Sequence, residues 1–119
     1  MIQYNFEKLE IWTLALEGIH EIDRLCRKFP KQEKYILEDQ LKRACLSIAL
    51  NIAEGSGRGT KLDFRRFIRN EIGSILEVVA GIRIAISKRY FEKEDSRLAD
   101  GILEKLYFKS LAMEKYLKR

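Results

Sequence analysis

The chain has 119 residues, 46% of them apolar and 34% charged, with a net charge of +5. That composition fits one folded, water-soluble domain spanning residues 1–119 and excludes a disordered or multidomain chain. One proline and seven glycines are too few for a turn-rich all-β fold, and a single His20 excludes a multi-histidine metal site. No run of about 18 apolar residues is present, so no membrane-spanning helix is expected. Residues Met1 to Glu7 have neither the basic start nor the apolar block of a secretory signal.

Helical spacing dominates the rest. Trp12, Leu16, Ile19, Ile22, Cys26 and Phe29 recur at steps of three and four, the signature of one helix face. Pro30 stops that helix, because the residue before a proline is pushed out of helical space. A second helix is predicted from Gln32 to Glu54, ending at Gly55-Ser56-Gly57-Arg58-Gly59. Thr60 with Asp63 three residues on resembles a capping box, and a third helix follows from Lys61 to Arg89. After a polar break, Asp95 or Ser96 can cap a fourth helix carrying Leu98, Ile102, Leu106, Met113 and Leu117.

Four helices joined by short loops pack as sequential neighbours, so the expected fold is all-α: an antiparallel up-down-up-down four-helix bundle. A paired coiled coil is the rival, and the glycine-rich break and lack of a sustained heptad argue against it. In such a hairpin Cys26 and Cys45 are offset by roughly 9 residues, about 13 Å along the helix axis. A disulfide needs α-carbons within about 7 Å. Both are read as buried thiols in a reducing, cytoplasmic setting.

The second and third helices carry more apolar surface than one small bundle can cover. From Ala44 to Ala53 only Ser47 and Asn51 are polar. On the third helix Phe64, Ile68, Ile75, Val78, Ile82 and Ile86 form a core face, and Ile72, Leu76 and Val79 form a second strip beside it. The excess points to self-association; a deeply buried central helix pair is the alternative. Two polar stripes cross this region: Arg43, Ser47, Asn51 and Glu54 on the second helix, and Asn70, Gly73, Ser74, Glu77 and Gly81 on the third. Pairing of Arg43 with Glu77 or Glu54, bridged by Ser and Asn, would satisfy them. A seam fixing helix register or subunit docking is favoured over a recognition groove.

The positive charge is local. Residues 58–90 carry eight basic and three acidic side chains, whereas the other segments are close to balanced. Arg58, Lys61, Arg65, Arg66 and Arg69 cluster within twelve residues at the start of the third helix. The helix dipole disfavours cations there by a few tenths of a kcal/mol each. The placement therefore suggests an external anion, and arginine suits bidentate phosphate contact. The alternative is a solvated face with Asp63 and Glu71 as partial partners. Binding through this patch would be to backbone and shape, since no base-reading motif accompanies it.

Catalytic signatures are missing. The segment Gly55 to Leu62 looks like a phosphate loop, but Thr60 precedes Lys61 where glycine is needed and Leu62 follows it. His20 has acidic neighbours but no identifiable nucleophile. Glu54 and Glu77 lack the Glu-x-x-His companion of a di-iron site. No enzyme activity, metal or cofactor is expected.

The chain also resembles a known family, the 23S rRNA intervening-sequence proteins. The resemblance rests on Phe6 to Trp12, Phe29-Pro30, Gln40 to Ala44, Ser47 to Gly55, Gly57-Arg58, Phe64 to Phe67, and Gly73-Ser74 with Glu77. It departs at Asn70-Glu71, where the family is more apolar or small. The resemblance implies a four-helix bundle assembling into a homopentameric ring, with no enzyme activity. It also points to the related accessory variability proteins of diversity-generating retroelements, basic barrels that bind a reverse transcriptase and its template RNA. The expected function is a homo-oligomeric RNA-binding accessory protein, possible partners being RNA and a reverse transcriptase. The alternative is a protein-interaction scaffold without nucleic-acid binding.

Overall fold

A computed structural model describes residues 1–119, with the side chains of residues 33 and 34 excepted. Four α-helices make up the fold: α1 (Glu10–Cys26), α2 (Asp39–Ser56), α3 (Lys61–Ser87) and α4 (Arg97–Lys118). Short 3-10 turns precede α1 (Asn5–Lys8) and α4 (Lys93–Ser96), and a 3-10 turn and a π turn lead into α2. There is no strand. Each helix packs against the next, and α4 returns to α1, which closes a four-helix bundle. Its core is aliphatic, with Ile22, Leu25, Ile48, Ile52, Ile68, Ile75, Ile82, Leu103 and Leu106 fully buried.

The register is set by contacts at both ends. Arg83, late in α3, reaches Asp100, early in α4, at 2.9 Å; Arg65, early in α3, reaches Glu114, late in α4, at 2.8 Å. Arg24 at the end of α1 donates to the Asp95 carbonyl at 2.9 Å, and Lys109 pairs with Glu10 at 3.0 Å. The end of α4 therefore lies beside the start of α3, and the start of α4 beside the end of α3.

Several helix boundaries differ from the sequence reading. The helix α2 starts at Asp39 rather than Gln32, behind a 3-10 turn and a π turn, and α3 ends at Ser87 rather than Arg89. The helix α1 ends at Cys26, before Pro30, because Phe29 leaves the helix to join Tyr90 and Phe91 in a ring cluster with centroids 5.6 and 5.8 Å away. The helix α2 runs through Gly55 to Ser56. Gly55 does not break it, because its missing side chain is what lets Phe64 and Phe67 of α3 lie against it. The loop instead turns at Gly59, the one glycine with positive φ (+88°). At the far end of α3, Arg89 takes the left-handed conformation (φ 64°), with the Tyr90 amide donating to the Ala85 carbonyl at 3.0 Å. That six-to-one bond closes the helix in the manner usual for glycine.

Two faces are rotated from expectation. On α1 the buried positions are Ile11, Leu14, Ala15, Gly18, Ile22, Leu25 and Cys26, while Leu16 is exposed. The small residues let α1 approach its neighbours: a Cβ on Gly18 would be in ordinary contact with Cys45 Sγ at 3.8 Å and Ile102 at 4.0 Å. On α4 Leu98 is exposed, and Ala99, Leu103 and Ser110 are buried in its place.

The closest helix pair is α2 against α3, and Gly81 permits it. A Cβ there would lie 2.9 Å from Leu41 Cγ, with Cδ2 nearer still, and Leu41 is itself buried. Gly81→Ala is expected to lower stability by about 1–3 kcal/mol through overpacking. The change runs against the better helix propensity of alanine, worth about 1 kcal/mol. Urea unfolding measures the difference; an unchanged midpoint would mean that Leu41 yields.

Candidate nucleic-acid interface

The basic cluster is built by the α2–α3 corner. Thr60 stops the extended chain and caps α3, its Oγ1 accepting the Asp63 amide at 3.2 Å as the sequence predicts. This holds Arg58 and Lys61 at the corner, just ahead of and within the first turn of α3. The Arg58 guanidinium sits over the Phe67 ring, 4.8 Å from its centroid. One turn on, Arg66 projects to solvent with a 3.4 Å contact to Asp63.

Arg65 is placed differently from the expected row of outward cations. Its Nε donates to Glu114 Oε1 of α4 at 2.9 Å, its Nη2 lies 2.8 Å from the same oxygen, and its side chain is only 20% exposed. The same carboxylate lies 3.8 Å from Arg69 Nε, and Arg69 is otherwise open to water. Arg65 thus ties α3 to α4, and Arg58, Lys61, Arg66 and Arg69 present the accessible charge. A shallow depression lined by Leu62, Asp63, Arg65, Arg66 and Arg69 runs across this surface.

The fold adds cations that segment charges conceal. Tyr116 in the last turn of α4 lies against Lys61, whose Nζ is 5.0 Å from the ring centroid. The end of α4 therefore brings exposed Lys115, Lys118 and Arg119 to the same end of the bundle. Among the described residues these three make no ion pair. They went unnoticed because residues 91–119 also hold Glu92, Glu94, Asp95 and Asp100, which the fold sends to the other end of α4.

Glu71 is not a partner of the basic face. It is fully buried between α3 and α4, accepting a hydrogen bond from Ser110 Oγ at 2.8 Å on Oε2, while Oε1 has no partner. Burial pushes its carboxyl up to about 8, and the Ser110 hydrogen bond pulls the other way. The helical spacing that set Glu71 near Arg69 did not reveal that its own direction is inward.

The polar stripes meet in part. Asn51 Nδ2 donates to the Ser47 carbonyl and hydroxyl at 2.8 and 3.0 Å, and Ser74 Oγ donates to Ser47 Oγ at 3.1 Å. Ser47, Asn51 and Ser74 thus form a half-buried seam between α2 and α3. Glu77 is bound by the Gln40 amide rather than by Arg43. Arg43 and Glu54 are both exposed and pair neither with each other nor with Glu77. The helical period sets Arg43 beside the exposed Leu46 and Leu50 on α2.

Cys26 and Cys45 are free, buried thiols, pushed up to about 12 by loss of solvent. No three His, Cys, Asp or Glu side chains come together to hold a metal among the described residues. No helix among them is long and apolar enough to cross a membrane.

No curated protein matches the chain. A family model, that of the 23S rRNA-intervening sequence protein, matches residues 7–108. That stretch takes in the seam, the glycine corner and the whole of α3. With a four-helix bundle carrying all of them, the chain belongs to the 23S rRNA-intervening sequence protein family.

Proposed function

We propose that the chain is a non-catalytic, homo-oligomeric RNA-binding accessory protein of the cytoplasm. The observation that carries this reading is the convergence of α3 and α4 cations on one end of the bundle. Arg58, Lys61, Arg66 and Arg69 contact phosphate, Arg65 holds the surface in place through Glu114, and Lys115, Lys118 and Arg119 widen it. The family's name, which refers to an intervening sequence of 23S rRNA, supports RNA as the ligand. RNA affinity measured against salt tests it: log K should fall linearly with log salt, by about 0.7–0.9 for each phosphate contacted. Binding that is absent at low salt would reject the reading.

The assembly reading takes the subunit as an antiparallel up-down-up-down bundle and the oligomer as a homopentameric ring. The end-to-start pairs Arg83–Asp100 and Arg65–Glu114 support the first. Exposed apolar residues support self-association. Leu76 is 51% and Phe108 61% exposed beside a groove with Val79 and Tyr107 between α3 and α4, and Leu46 and Leu50 are bare on α2. Two unlike apolar faces suit a head-to-tail contact, the kind that closes into a ring. Leu76→Glu with Phe108→Glu is expected to reduce the species seen by light scattering to a monomer with its helix content intact. An unchanged mass would place the subunit contact elsewhere.

A reverse transcriptase is the partner proposed for the assembled protein, following the resemblance to retroelement accessory proteins. The second reading is a scaffold that binds protein and no nucleic acid. The neutralisation of Arg65 and partly of Arg69 by Glu114 favours it.

A further inference from the structure

The basic end also carries aromatic surface, and the two together say something about the form of the nucleic acid. Tyr116 is 53% exposed, although it lies in the last turn of α4 among cations. Lys61 approaches one face of its ring at 5.0 Å. Lys115 and Lys118 flank it in sequence, and Arg119 follows, all exposed and without ion pairs among the described residues. Nearby, the Arg58 and Arg66 guanidinium groups lie 4.8 and 5.8 Å from the Phe67 centroid.

A phosphate-only surface has no use for an exposed ring, whose apolar face is better buried. The bases of an A-form duplex are stacked on one another and cannot use one either. An unpaired base can lie on an aromatic face while its neighbouring phosphates meet the surrounding cations, which is how sequence-tolerant single-strand binding is built. The geometry points to single-stranded RNA as the ligand of this end, with Tyr116 as a stacking platform for an unpaired base. Lys115, Lys118 and Arg119 hold the flanking phosphates. This rests on the phosphate-binding reading and adds the strandedness of the RNA to it.

The test uses the full chain and two labelled probes, a 12-nucleotide single-stranded RNA and a 12-base-pair RNA duplex, followed by fluorescence anisotropy. Tyr116→Ala is expected to weaken single-strand binding about tenfold, within the range for loss of one stacked base. Duplex binding should not change. Tyr116→Phe should keep single-strand affinity within about twofold, because the ring rather than the hydroxyl does the stacking. The salt slope should be the same in Tyr116→Ala as in the parent protein, since no phosphate contact is lost.

RNA binding that is indifferent to Tyr116→Ala would overturn the stacking proposal and leave the phosphate reading standing. Equal losses for both probes would also overturn it, by showing that Tyr116 only positions Lys61. A parent protein that binds neither probe would remove the phosphate reading, and the stacking proposal with it.

Discussion

Glu71→Gln is expected to make the protein more stable above pH 8 and to flatten its stability between pH 4.5 and 8. The carboxyl titrates about 8 in the folded chain and 4.5 when unfolded. Below 4.5 both states hold the proton, and the group has no influence on the balance. Between the two values only the unfolded chain releases it, so stability falls as pH rises. Above about 8 both are ionised and the loss is complete. At roughly 1.4 kcal/mol per unit the full penalty approaches 5 kcal/mol, a ceiling that relaxation of the core will lower to a few.

Glutamine cannot ionise, yet its carbonyl can still accept from Ser110. Its amide then sits where Oε1 has no partner, which costs about 1–3 kcal/mol at every pH. The variant should therefore be somewhat weaker than the parent at pH 5 and stronger at pH 9. Urea unfolding of both proteins at pH 5, 7 and 9 gives the comparison. Parallel pH profiles would mean that Glu71 reaches water or a charge partner.

Much of the fold could be read from periodicity, because helix spacing is a local property. Thr60 with Asp63 marked the start of α3 to the residue, whereas Pro30 placed the end of α1 beyond Cys26, where it stops. Faces were read less well. On α1 the large residues Trp12, Leu16 and Ile19 drew the expected stripe, whereas the structure turns Ala15 and Gly18 inward. Helix axes approach most closely where side chains are smallest, and a hydrophobicity pattern gives those positions little weight. The same blindness applied to Gly55, read as the end of α2, and to Gly81, read as part of a polar stripe; both act as close-packing points between α2 and α3.

The candidate site was half legible. Five clustered cations are visible in any reading of residues 58–69, and their origin on one helix start is local. Which of them stays free depends on Glu114, 49 residues from Arg65 and recognisable as its partner only once α4 is laid alongside. Lys115, Lys118 and Arg119 were hidden for a similar reason. Charge summed by segment cancels them against acids that a helix of 22 residues carries about 33 Å away. In a bundle, charge belongs to an end rather than to a stretch of sequence.

Reversing Arg58, Lys61 and Arg66 together to glutamate is expected to abolish RNA binding while leaving the oligomer mass unchanged. None of the three touches a helix partner through an ion pair: Arg58 and Lys61 lie over aromatic rings, and Arg66 meets only Asp63 of its own helix. The Arg65–Glu114 tie between α3 and α4 is untouched. The fold therefore loses little, since exposed contacts of this kind are worth up to about 1 kcal/mol each. Acids near the start of α3 also suit its dipole by a few tenths of a kcal/mol apiece.

Binding, by contrast, loses three phosphate partners and gains three repelling charges, so affinity at about 0.1 M salt should drop at least roughly a hundredfold. Gel shift or anisotropy reads the affinity, and light scattering the mass. Retained affinity would assign RNA to another face. Loss of mass along with affinity would put the basic end inside the subunit contact, where the cations would serve assembly and a scaffold would be the better description.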